Sequence, residues 1–253
     1  MSKSTEQFGL EPETYDALVD WDRRLANEES FYRELFAQVP VRRLLDAACG
    51  TGRHAAWWHS WGLEVEGADV DERMVAHCRR RWGEPDGLRW VRRSYETPPE
   101  GEPFDAVVCV GNSLSLARDD GTLERALGAM LAALRSGGVL VVQVLNLWRL
   151  AEGPSVWQKC KLLPADGAAR RLIVKGVHRA GERAFIDVLQ IEIAGSELRH
   201  TTHSASFLGI RREQLEQAAR AGGATRIEFF GSFAREPYQP GHSPDLILAA
   251  RRG

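Results

Sequence analysis

The chain has 253 residues with an ordinary globular composition, 43% hydrophobic and 27% charged, enough for one large α/β domain or a core with a small appendage. Its 33 Lys+Arg against 35 Asp+Glu leave a formal charge of −2, without the basic footprint that holding a long nucleic acid by counterion release requires, so small-molecule chemistry moves forward. No apolar run approaches the roughly 18 residues of a membrane span, and the acid-bearing amino-terminal stretch lacks a signal-length apolar core.

Taken in chain order, the first dozen residues are polar and read as loose. From 15 to 38 apolar and charged residues alternate at helical spacing, which predicts two short helices. Tyr15, Leu18, Val19 and Leu25 form one apolar face, and Phe31, Leu35 and Phe36 another. The break is expected near Asn27 to Ser30, with Ser30 as N-cap. From 42 onward strands and helices alternate: strand 43–47, helix 53–61, strand 63–68, helix 71–82 and strand 88–91. Repeated βαβ units demand a parallel sheet covered by helices on both faces, the doubly wound architecture. Trp57, Trp58 and Trp61 are expected at the helix–sheet interface.

The stretch LLDAACGTGRHA, Leu44 to Ala55, organises the rest. A buried strand ends at Asp46, small residues Ala47 and Ala48 follow, and Gly50 and Gly52 permit a tight turn that a ligand approaches closely. The N–H groups past Gly52 open a helix and carry partial positive charge suited to an anionic ligand group. A second apolar run ends at Asp69, and in a doubly wound sheet that carboxylate lies beside the first turn, within reach of both hydroxyls of a ribose. The glycines crowd one turn, and no third glycine follows to admit a pyrophosphate, so the pattern differs from a dinucleotide fingerprint.

DAACGTG, with Asp69 downstream, resembles the first two motifs of class I S-adenosylmethionine-dependent methyltransferases. The resemblance implies that Gly50, Thr51 and Gly52 cradle the methionine part of the cofactor while Asp69 holds its ribose. Asp46, Ala48, Cys49, Val70 and Val110 complete the expected cofactor wall. Where such enzymes carry an acid after strand three to accept from the adenine amino group, this chain has Ser94, whose hydroxyl can also accept, and Tyr95 beside it offers a ring or a backbone N–H. The next strand, FDAVVCVGNSLSL from 104 to 116, is similar to that of glycine N-methyltransferases and related small-amine methyltransferases. Gly111 and Asn112 then fall at its carboxyl end, beside the methyl group. A histidine frequent in those relatives is Leu116 here. A helix over 119–134, a Ser136-Gly137-Gly138 turn and the strand VLVVQVLN lead to Asn146, which in the glycine-methylating relatives meets the substrate. Helices preceding the core form a lid in this class, so Tyr15, Trp21, Arg23 and Arg24 are expected over the cofactor, with a solvated helix face the alternative for the arginines. Arg24 joins the cofactor set, and Tyr15, Asn112 and Asn146 form the expected catalytic group.

Between 147 and 207 the helical rhythm stops. Segments 171–178, 184–193 and 197–207 are rich in β-branched and aromatic residues and separated by Arg179-Ala180-Gly181-Glu182 and Gly195-Ser196, which predicts antiparallel hairpins. The expected organisation is an N-terminal helical lid over 1–40, a cofactor-binding core over 41–146 and 208–253, and an antiparallel β insertion over 147–207 covering the acceptor site. Arg170, Arg171, Lys175 and His178 read as surface charges that an anionic substrate could also use. A helix 211–221, a strand 225–230 and a closing strand 245–250 finish the chain. The segment GSFAREPYQPGHSPDLIL also resembles the carboxyl end of this group, with Tyr238 in a loop able to reach the site.

Cys49, Cys78, Cys109 and Cys160 have no paired spacing, and His200 and His203, three apart on a strand, point to opposite faces. No metal site and no disulfide framework are expected, and reduced thiols fit a cytoplasmic protein. The function expected is methyl transfer from S-adenosylmethionine to a small molecule, most simply an amine nitrogen, with S-adenosylhomocysteine as product. Neither a long nucleic acid nor a membrane is expected as partner, and a homo-oligomer is compatible with the composition. The rival readings are a nucleic-acid or protein methyltransferase and a non-enzymatic cofactor-binding module.

Overall fold

The computed structural model describes residues 10–164 and 169–253. The expectation of a loose amino terminus falls, for residues 1–9, outside the described residues. The core is a seven-stranded sheet in the order β10-β11-β5-β4-β1-β2-β3. Its parallel part comprises β1 (Arg43–Asp46), β2 (Glu64–Asp69), β3 (Leu88–Arg92), β4 (Phe104–Cys109) and β5 (Leu134–Leu145). The antiparallel edge is β11 (Asp245–Arg252) against β5, with β10 (Ala224–Phe230) outside it. The connecting helices are α3 (Arg53–His59), α4 (Glu72–Trp82), α5 (Asp120–Ala132) and α6 (Arg212–Ala221). The fold is the expected doubly wound, Rossmann-like α/β sheet, with an antiparallel insertion after strand five.

Two apolar layers hold the sheet. One packs α5 and α6 on one face through residues such as Leu127, Met130 and Leu215. The other packs Phe31, Tyr32, Trp58 and Trp90 on the opposite face. Trp58 is fully buried there, and Trp57 and Trp61 pack half-buried beside it, so the tryptophan cluster is core. Trp90 also fixes two glycines: a Cβ at Gly67 would lie 2.5 Å from its ring, and one at Gly52 2.7 Å. The register of β1 is anchored by Asp105, whose carboxylate accepts from the N–H groups of Arg42 and Arg43 at 2.8 and 2.9 Å.

The amino-terminal helices differ from expectation. α1 (Pro12–Leu18) is followed, after only Val19 and Asp20, by α2 (Trp21–Gln38), which runs unbroken through Asn27–Ser30. Ser30 lies inside the helix, and the N-cap is Asp20, whose side chain accepts from Arg23 N–H. No glycine or proline interrupts 21–38, and ion pairs one turn apart, Arg24–Glu28 and Arg33–Glu29, bridge the expected break. α5 likewise stops at Ala132, and β5 already begins at Leu134, with Gly137 at φ +73° inside it.

The insertion is a four-stranded antiparallel sheet, β6 (Val156–Pro164), β7 (Arg170–Ala180), β8 (Arg183–Ala194) and β9 (Glu197–Leu208), in that spatial order. Its first strand, in VWQKCKLLP, has no place among the segments expected, because its lysines and glutamine blur the alternation. Ile173, Val177, Ile186, Val188 and Phe207 turn one face of this sheet onto Leu10, Leu18 and Leu147. α1 is thereby caught between the two sheets. On the core side, the Asp16 carboxylate accepts from Thr51 Oγ1 (2.6 Å) and from Arg53 (2.8 and 3.0 Å). On the insertion side, Lys161 Nζ donates to Ala17 O at 2.7 Å.

Candidate active site

Between α1, α2, the carboxyl ends of the parallel strands and the insertion lies a cavity of about 820 Å3. Such a volume is usual for small-molecule sites, as is the position, beside the point where strand order reverses around β1.

At one end, Asp69 closes β2 and its carboxylate ties two loops together, accepting from Gly50 N–H at 2.9 Å and from Asp71 N–H at 2.9 Å. Burial pushes this carboxyl above its ordinary range, and the two backbone donors oppose the push. Gly50 has φ +52°, and a Cβ there would meet no protein atom within 4 Å, so the missing side chain leaves free volume on the cavity wall. Ala48, Cys49, Val70, Ser94, Tyr95 and Val110 line the same end.

Three residues expected at the cofactor are not on this wall. Asp46 is buried beneath it; burial, with the Asp69 charge next, pushes the carboxyl up to about 8, against the backbone N–H of Ala48. Thr51 spends its hydroxyl on Asp16 and its carbonyl on Trp82 Nε1. Gly52 is demanded by packing, since a Cβ would strike Trp90 and Cys78 Sγ.

In the middle, Gly111 (φ +78°) and Asn112 (φ +68°) turn sharply off β4. The space where a Gly111 side chain would point holds the Tyr15 hydroxyl at 3.6 Å and the Arg24 guanidinium at 3.8 Å. Asn112 lines the cavity, but its Oδ1 accepts from Leu145 N–H at 3.0 Å and its Nδ2 is buried without a partner. Burial raises the Tyr15 phenol above its ordinary value, against the pull of Arg24, so it is a proton-bearing hydroxyl at neutral pH. Arg24 is held by Glu28 at 2.8 Å, and Glu28 in turn by His54 Nε2 at 2.9 Å. Burial lowers the His54 pKa, so the ring is neutral and Nε2 carries the hydrogen it donates. Burial works against the Glu28 charge, but His54 and Arg24 hold its carboxyl below the ordinary value. Trp21 lies edge-on to His54, with ring centroids 5.4 Å apart, and Arg24 lies 5.3 Å over Trp21.

The far end is made by Leu116, Leu145, Gln143, Asp245 and, from the insertion, Ile186 and Phe207. Contrary to the expectation that it faces the acceptor, Asn146 is 2% exposed, and its Nδ2 donates to Pro240 O and Ser243 O at 2.7 and 2.8 Å. Its Oδ1 accepts from Trp148 N–H and Tyr238 O–H, both at 3.3 Å. The amide is spent on fastening the closing loop, and Tyr238 reaches Asn146, not the cavity.

Glu28, Gln143 and Asp245 have no place in the expected site. A glutamine alone in VLVVQVLN and a glutamate one turn after Arg24 were the available signals. Lys175 lines the cavity, while Arg170 and Arg171 do not; His178 instead faces Asp187 at 3.6 Å. Among the described residues no group of His, Cys, Asp or Glu has metal-binding geometry, and no helix is long and apolar enough to cross a membrane.

A methyltransferase-domain family model matches residues 44–138. Glycine N-methyltransferase of Rattus norvegicus is 31% identical over 255 residues, covering 88% of this chain and 83% of that protein. Glycine/sarcosine N-methyltransferase of Parasynechococcus marenigrum is 32% identical over 155 residues, 58% of this chain and 53% of its own. The chain thus spans about half the length of several microbial relatives it matches, 41% in the case of the Actinopolyspora halophila protein. Among solved structures, a sugar N-methyltransferase from Streptoalloteichus superposes with a TM-score of 0.78 at 23% identity, covering 100% of this chain and 97% of that one. With the strand order, the Gly50 turn and Asp69, these likenesses are decisive: the chain belongs to the class I S-adenosylmethionine-dependent methyltransferases. S-Adenosylmethionine is accordingly its cofactor, and the free volume at Gly50 beside the Asp69 carboxylate fits a ligand that carries a ribose.

Proposed function

We propose that the chain transfers a methyl group from S-adenosylmethionine to a nitrogen of a small-molecule amine. The observation that carries this reading is the continuity of one cavity, from the Asp69 carboxylate past Gly111 to the apolar face of the insertion. A cavity of about 820 Å3 lined by α1, α2 and the insertion has the size of a small-molecule site. The relatives that methylate glycine, sarcosine or a sugar nitrogen, by their names, support the choice of nitrogen.

In this proposal Asp69 accepts the ribose hydroxyls, Gly50 lets the ligand approach the backbone, and Ser94 and Tyr95 meet the adenine. Arg24, fixed by Glu28 and His54, pairs with the carboxylate of the methionine part. Tyr15, Gly111 and Asn112 surround the point of transfer. When bound, the cofactor supplies a methyl group on a positively charged sulfur. The protein's contribution is then orientation and exclusion of water, for which α1, pinned to both sheets, is well placed.

The test is release of S-adenosylhomocysteine in the presence of glycine, sarcosine and amino sugars, each beside its hydroxyl counterpart. The reading expects turnover with amines and none with the matching alcohols. Turnover confined to alcohols, or to RNA or protein, would overturn it.

A further inference from the structure

Asp245 is the first residue of β11 and stands opposite Leu145 of β5. It lines the cavity, and none of the roles above uses it. With strands about 4.8 Å apart, β11 lies roughly 10 Å from β4 and roughly 19 Å from β2, so its carboxylate belongs to the end remote from the ribose site. Its Oδ1 accepts from Gln143 Nε2 at 2.7 Å, and Gln143 Oε1 accepts from Gly111 N–H at 2.8 Å. A rigid relay thus ties Asp245 to the turn where transfer is placed. Its backbone is equally fixed, because Asn146 clamps the preceding loop at Pro240 and Ser243 and Asp245 N–H donates to Gly231 O at 3.1 Å. The Oδ2 atom has no protein hydrogen-bond donor among the described residues.

We propose that Asp245 is the residue that meets the acceptor nitrogen, its Oδ2 accepting an N–H of an amine at the point of methyl transfer. The inference rests on the methyl-transfer reading above. A partly buried carboxylate whose second oxygen is free to face the cavity offers a charged acceptor to an amine that enters it. The charged groups around it are Arg24 and Glu28 from α2 and Arg149 from the turn after β5. Burial pushes its carboxyl above the ordinary range, opposed by the Gln143 hydrogen bond and the two arginines. The amine reacts in its neutral form. The nitrogen lone pair forms the bond to the methyl carbon while the carbon–sulfur bond breaks and leaves its pair on sulfur. The positive charge moves from sulfur to a nitrogen that touches the carboxylate, and the product leaves as the methylated ammonium. Charge stabilisation therefore grows along the reaction, which is what lowers a barrier. A hydroxyl acceptor gains no lasting positive charge and draws less benefit.

The test uses sinefungin, an analogue with a primary amine where the transferred methyl would be, beside S-adenosylhomocysteine, which has no such amine. Calorimetry gives the ratio of their dissociation constants for the unmodified protein, Asp245→Asn and Asp245→Ser. The proposal expects the unmodified protein to favour sinefungin and both variants to lose about tenfold of that preference while S-adenosylhomocysteine affinity stays within threefold, which also shows that the variants fold. In the unmodified protein the preference should fall as pH drops through the raised pKa of Asp245, and the variants should show no such fall. An unchanged ratio in folded variants would overturn the role of Asp245 and leave the methyl-transfer reading standing. Failure of the unmodified protein to bind either compound would overturn that reading and the role together.

Discussion

The two ends of the cavity are built on different principles. At the cofactor end, the hydrogen bond from Gly50 N–H to Asp69 joins residues 19 apart, and the loops after β1 and β2 fasten each other. At the acceptor end, the bond from Gln143 to Asp245 joins residues 102 apart, and the clamp from Asn146 to Ser243 residues 97 apart. One end is a local device closed within a single βαβ unit. The other exists only when β5, β11, the closing loop and the insertion have all come together. A local device can be kept while the distant one is rebuilt, which is how one fold serves many acceptors.

The contrast is broken most forcefully at two glycines of one turn. Gly52→Val should destabilise the fold by at least about 3 kcal/mol, since its Cβ would collide with Trp90 and Cys78 at a φ of +76°. Gly50→Val should cost about 1–3 kcal/mol through strain at its φ of +52°, without the collision at Gly52, but reduce S-adenosylhomocysteine affinity on the order of a hundredfold, because its side chain enters the free volume. Urea unfolding and calorimetry on both variants check this; loss of stability alone at Gly50 would return the turn to a packing role.

Asp69→Ala comes next, with an expected loss of about 1.5–3 kcal/mol in cofactor affinity as charge-assisted bonds disappear. A 2′-deoxyribose analogue should already bind the unmodified protein weakly, and equal binding of both ligands would remove the ribose contact from the account.

Asn146→Ala should cost about 2–3 kcal/mol of stability, because Pro240 O and Ser243 O lose buried donors. S-Adenosylhomocysteine affinity should stay within threefold, since Asn146 acts on the far end. Unchanged unfolding by urea would contradict the clamp.

Asp46 supplies a test that depends on pH. Its folded pKa, about 8, lies above the unfolded value near 4, so the folded state holds the proton more tightly. Its contribution to stability is complete below about pH 4 and is lost as pH rises towards 8. Asp46→Asn should therefore be more stable than the unmodified protein at pH 8 and gain nothing at pH 4, read from urea unfolding at both pH values.

The same division decides how much of the molecule was legible in its residues. The turn, Asp69 and the strand order are local patterns of period and punctuation, and residues 44–69 carry them almost alone. The continuity of α2 is not legible from cap residues, because side-chain pairs one turn apart support it. The sequence places Asn146 at a strand end, but only the loop around Ser243, almost a hundred residues later, shows what its amide holds. Gln143 and Asp245 stayed hidden for the same reason: a strand pattern gives the face of a residue, but not the partner brought to it by a crossover.

The most direct test of the account is a crystal structure with S-adenosylhomocysteine. The account expects the ribose on Asp69, the backbone of Gly50 against the ligand, the methionine carboxylate on Arg24, and the sulfur facing a free volume bounded by Asn112, Asp245 and Phe207. Sulfur turned towards a wall with no room for an acceptor, or the ligand bound away from Asp69 and Gly50, would contradict it.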